Sequence, residues 1–130
     1  MALNKKLSRL TGVSIAFGLL AASGAAMAEK TAPRSFVASP DVYTMVAQGP
    51  RSKVILATWQ PGQRDAWHSH SEMGVYYLTP CSLRLRFPGG GSQEFYGIPE
   101  GYAVVHSPVE SHQAENIGSN VCKMVMFERW

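Results

Sequence analysis

The sequence predicts an all-β, single-domain protein behind a cleavable N-terminal leader. Three observations carry that expectation. After residue 28 the chain divides into about nine short segments rich in β-branched and aromatic residues, bounded by Gly, Pro, Asn or Ser. No apolar spacing of helical period recurs beyond the leader. The roughly one hundred residues that follow the leader suit one ordinary domain with a modest core, and no linker or repeat divides them.

The leader is residues 1–28. Lys5, Lys6 and Arg9 form a basic start, Leu10 to Ala22 is apolar and small, and Ala26-Met27-Ala28 is the small-x-small pattern a signal peptidase reads. Cleavage after Ala28 and a periplasmic or secreted location follow as expectations. The apolar run is too short and too rich in Gly, Ser and Ala for a membrane anchor, so no membrane span is expected after processing. Removing the leader takes away three of the twelve lysines and arginines and none of the nine acids, leaving nine of each. A chain of zero formal charge has no basic footprint for nucleic acid.

The remaining elements follow in order. Residues 29–50 read as a loose arm through Ser39, then a first short strand from Asp41 to Ala47, ended by Gln48-Gly49-Pro50. Residues 51–130 form the domain proper. Lys53–Trp59 is a strong strand, stopped by Pro61-Gly62. Asp65–Ser71 and Gly74–Thr79 follow, the second stopped by Pro80. Ser82–Phe87 alternates, with Leu83, Leu85 and Phe87 on one face and Arg84 and Arg86 on the other. Pro88–Ser92 is a hairpin loop. Short strands follow at Gln93–Tyr96, Tyr102–His106 and Ser111–Ile117, and a long last one at Val121–Phe127.

The chemistry concentrates in Gly62-x5-His68-x-His70. Residues two apart on a strand point to one side, so the two imidazoles share a face and can clamp one divalent metal if a third ligand arrives. Further on stand Pro99-Glu100-Gly101, then His112 and, four residues later, Asn116.

The order G-x5-H-x-H, P-x-G, H-x3-N resembles the paired motifs of the cupin superfamily, over roughly Lys53 to Arg129. The resemblance implies a jelly-roll β-barrel and a three-histidine metal site of His68, His70 and His112. The family usually adds a glutamate four or five residues after the second histidine; Gly74 and Val75 stand there instead. Glu72, only two residues after His70, and His106, at the end of a strand, are the candidates for a replacement ligand or an acid–base group. Asn116 reads as closing a turn. The implied fold also sets the strand that ends near Cys81 antiparallel to the one that starts near Cys122. A disulfide across about 40 residues would contribute about 3–4 kcal/mol; two separate buried thiols are the other reading.

Arg84 and Arg86 read as a wet face rather than an anion grip. Trp67, Met73, Tyr76 and Tyr77 either line a cavity or pack the core. Three imidazoles suit Zn, Fe, Mn, Ni or Cu. Without a carboxylate the site keeps its full positive charge, attracting an anionic substrate or acidifying a bound water. The resemblance implies either a metal-dependent enzyme of oxygenase, isomerase or lyase type on a small molecule, or a non-catalytic module that binds or senses a metal or small ligand. It also implies a homodimer.

Overall fold

The structure, a computed structural model, describes residues 31–130. The leader and its cleavage site lie outside the described residues. No helix among the described residues is long and apolar enough to cross a membrane.

Among the described residues nine strands form two sheets. In chain order they are β1 (Tyr43–Gln48), β2 (Ser52–Trp59), β3 (His68–His70), β4 (Met73–Tyr77), β5 (Cys81–Arg86), β6 (Ser92–Ile98), β7 (Ala103–His106), β8 (Val109–Asn116) and β9 (Cys122–Arg129). The larger sheet runs β1-β2-β9-β4-β7 and the smaller β3-β8-β5-β6. All strand pairs are antiparallel. All nine strands read from the sequence are present, with ends displaced by a few residues.

One core lies between the sheets, and period-2 alternation builds it. In β2 the inward residues are Lys53, Ile55, Ala57 and Trp59; in β9 they are Cys122, Met124, Met126 and Glu128. The register sets Trp59 against Cys122, Ala57 against Met124, Ile55 against Met126 and Lys53 against Glu128. Burying a side chain such as Ile55 or Met124 contributes about 1.5–3 kcal/mol. The last pair is charged, and it sits under the site described below.

The smaller sheet adds Leu83 and Ala114 to the same core. Its outer face carries Arg84 between Glu94 and Glu115, at 2.6 and 3.4 Å, and Arg86 at 2.6 Å from Glu115. The two arginines therefore belong to a wet, mutually paired surface, whose solvent-screened ion pairs contribute little to stability.

From Thr31 on, the segment read as a loose arm instead packs on the domain. It contains the short helix α1 (Ser35–Ala38), and it covers the edge strand β3. The Ser69 amide donates to the Pro33 carbonyl at 2.8 Å, and the Ser69 hydroxyl donates to the Ala32 carbonyl at 2.7 Å. An uncovered β3 would leave a row of unpaired backbone groups on the sheet edge. Sequence pattern misses this because four residues of helix leave no period to read.

Cys81 and Cys122 are joined in a disulfide. β4 ends beside the start of β9, with Tyr77 opposite Met124. The chain then turns at Pro80 into the other sheet, so the bridge ties the first residue of β5 to the first of β9 and pins the two sheets together.

Candidate metal centre

His68 and His70 occupy β3 and His112 faces His68 from β8 in register. A register shift between His68 and His70 is absorbed in β8. The turn before β3 is closed by Gly62, at φ 78°, whose amide donates to the Asn116 carbonyl; glycine adopts this left-handed conformation without strain. Asn116 itself is buried. Its amide donates to the carbonyls of Trp59 and Asn120 and its oxygen accepts from the Gly118 amide. It locks the turn and is not near the donor set, as the sequence suggests.

The three imidazoles converge. His68 Nε2 is 3.0 Å from His70 Nε2 and 2.8 Å from His112 Nε2. All three residues are buried, with ligand atoms within 4.8 Å of one another. The chemistry of the donors fits a metal. His68 Nδ1 lies 2.8 Å from the Ala66 carbonyl, which can only accept, so the ring proton sits on Nδ1 and Nε2 presents a lone pair. His70 Nδ1 faces the Glu128 carboxylate at 3.5 Å, with the same consequence. Lone pairs aimed at one another repel unless a cation gathers them. Nitrogens bound to one metal at about 2.0–2.1 Å stand roughly 3.3 Å apart, close to the spacing seen.

A second layer, not legible as functional in the sequence, holds these rings. Glu128 accepts from the Ser71 amide at 2.6 Å and lies 3.7 Å from both Lys53 and Arg34. Burial alone would raise its pKa, but the His70 and Ser71 hydrogen bonds and the neighbouring positive charge outweigh that and hold it low. Asp65 accepts from the Tyr43 hydroxyl at 2.7 Å, the Trp59 indole at 3.3 Å and the Ala114 amide at 2.7 Å. The Tyr43 oxygen stands 3.1 Å from His68 Nε2. Alternation continued to the end of the last strand would have turned Glu128 inward beside the two methionines. Tyr43 and Asp65 carry no such signal.

The other candidates fall outside the cluster. Glu72 is exposed and paired with Arg129 at 3.4 Å. His106 lies at the end of β7 opposite Met73 and lines the adjoining cavity. Burial, and then the charge of His70, lower its pKa. Met73 and Tyr77 also line the cavity, whereas Trp67 and Tyr76 are turned out to solvent.

Burial, then the neighbouring histidines, push the pKa of His68 down to about 4 and that of His112 to about 2, from 6.5. Burial pushes Asp65 the other way, from 3.8 up to about 6. Between pH 6.5 and 4 the unfolded chain binds more protons at the two histidines, so acid favours unfolding there. Asp65 opposes this with one proton against two. The metal-free protein is therefore expected to lose stability as pH falls from about 6.5 towards 4. Urea midpoints across that window check it, and a flat or rising profile contradicts it.

No protein-family model and no curated protein matches this chain. Solved structures do. A cupin domain from Bordetella pertussis Tohama I superposes with a TM-score of 0.61 at 24% identity, covering 68% of this chain and 92% of that one. An uncharacterized conserved protein with a double-stranded β-helix domain, from Klebsiella pneumoniae, gives 0.54 at 19%, covering 68% and 75%. An RmlC-like cupin family protein from Methanocaldococcus jannaschii gives 0.52 at 12%, covering 68% and 78%. A two-sheet all-β domain with three buried histidines at one point is the class of protein this chain represents. Its fold is similar to that of these solved structures, the double-stranded β-helix.

Proposed function

We propose that this chain binds a divalent transition metal through the Nε2 atoms of His68, His70 and His112 and uses it as an exported enzyme on a small molecule. The observation that carries the reading is the convergence of the Nε2 atoms of three buried histidines, two of which, His70 and His112, line a cavity of about 380 Å³. A metal held by three neutral imidazoles supplies Lewis acidity and open coordination positions, for oxygenase, lyase or isomerase chemistry.

The protein's own residues do the rest. Glu128 and the Ala66 carbonyl fix the tautomers of His70 and His68. The cavity wall, largely hydrocarbon, excludes water. His106 on that wall is the group placed to hold or pass a proton on a bound ligand. Export is supported by the leader and by the Cys81–Cys122 bridge, which persists in oxidising compartments.

A non-catalytic binding or sensing module is the second reading. It is favoured by the absence of any Asp, Glu or Lys among the described residues of the cavity wall, which leaves His106 with few partners for acid–base work. Oxygen uptake and product formation by metal-loaded protein, against a panel of carboxylic acids, phenols and thiols, separate the two. Metal-dependent turnover of one class, lost on chelation, is expected. Binding without turnover across the panel favours the module.

A further inference from the structure

We propose that the ligand of this site is a small, largely apolar molecule of one or two rings, with its polarity confined to an oxygen pair that meets the histidine triad. This rests on the metal-binding reading above and adds the substrate class.

The cavity wall carries the inference. Val75, Val104, Met124 and Met126 line it from the larger sheet, and Leu85 and Phe87 from the smaller. No lysine, arginine, aspartate or glutamate lines it among the described residues. The charges around it are committed elsewhere: Asp65 accepts from Tyr43, Trp59 and Ala114 behind the wall, Arg84 and Arg86 are paired on the outer face of the smaller sheet, and Lys53 and Glu128 are paired beneath His70. A ligand with a second charged group would leave water without a counter-charge, and an unpaired charge is costly to bury. Apart from His106, the metal-facing head is the one place among the described residues of the wall where charge is met.

Size and entrance agree with this. A dry cavity of about 150 Å³ holds benzene; about 380 Å³ leaves room for a substituted ring or two fused ones. Phe95, on the edge strand β6, and Tyr102, just before the edge strand β7, line the cavity yet are 43% and 48% exposed. The opening therefore lies between those two edges, and its rim is aromatic. Flat apolar faces stack on such a rim.

The test uses hydroxamates, which share one metal-binding head and differ in the tail. The mature protein is loaded with Co(II), and its visible spectrum is titrated with acetohydroxamate, benzohydroxamate and 4-carboxybenzohydroxamate, each referenced to free Co(II). Benzohydroxamate is expected to bind about tenfold or more tighter than acetohydroxamate, from burial of the ring. The carboxylate on the ring is expected to remove that gain. Phe95→Asp, at an exposed edge position, should shrink the benzo-to-aceto ratio several-fold. Equal affinity for the first two, or tighter binding of the carboxylated one, overturns the proposal whether or not the variant folds. If Co(II) is not retained, the metal reading fails on its own, and equilibrium dialysis of 1-naphthol with the metal-free protein decides the cavity. Uptake of one equivalent upholds an apolar ligand; no uptake rejects it.

Discussion

Glu128→Ala is expected to destabilise the protein by about 3–5 kcal/mol, because it strands a buried charge. The Lys53 side chain is fully buried, with Glu128 3.7 Å from its ammonium. Without the carboxylate, Lys53 keeps the Arg129 carbonyl at 2.9 Å and the Trp130 and Phe36 rings at 4.4 and 5.8 Å. Burial already lowers its pKa, and Glu128 is what opposes that. The variant must therefore hold an unpaired ammonium or give up its proton. Chemical denaturation measures the loss. A double variant, Lys53→Met with Glu128→Leu, is expected to recover most of the stability, since two apolar side chains of similar volume need no partner. It should not recover metal binding. Glu128 also fixes His70, and removing such an outer partner weakens metal affinity about 10–100-fold. A Glu128→Ala protein as stable as wild type would show that the Lys53–Glu128 pair does not hold this end of the sheet.

The second large effect is at the other end of the same strand. Replacing both Cys81 and Cys122 with alanine is expected to cost about 4 kcal/mol, from the loop entropy of a cross-link spanning 41 residues. The bridge joins strands of different sheets, so its loss acts on the packing of one sheet against the other rather than on a single hairpin. For a domain of about a hundred residues that is a large share of the total stability. Urea titrations of the oxidised protein and the double variant, each tested for metal content, report it. The variant should still bind metal when folded, because the histidines are held by other contacts. A shift of under about 1 kcal/mol contradicts this account of the bridge.

Much of the fold was legible because two-residue alternation and turn residues report strands directly. Leu83, Leu85 and Phe87 face the cavity as their spacing says, and Arg84 and Arg86 face water. The histidine set was legible because His68 and His70 share one face of a strand and because the order of Gly62, His68, His70 and His112 resembles the cupin motifs, which implies the third ligand. The layer behind them was not. Tyr43, Asp65 and Glu128 lie far apart in sequence, and their meeting behind the histidines depends on register between strands tens of residues apart. Lys53 and Glu128 look like solvated strand ends until β2 and β9 are paired and the two are seen to oppose each other. Alternation finds the face a residue occupies but not which charged residue will be sealed there. The arm over β3 escaped for a different reason: it is held by hydrogen bonds from the Ser69 amide and hydroxyl to its backbone carbonyls, which no hydrophobic pattern encodes.

The measurement that bears most directly on the metal centre is elemental analysis of the purified mature protein beside His70→Ala. The account predicts about one transition-metal equivalent per wild-type chain, most of it lost in the variant while the β circular dichroism spectrum is retained. Equal metal content in the two proteins, or a wild type that holds no metal when supplied with Zn, Fe, Mn, Ni or Cu, would contradict it.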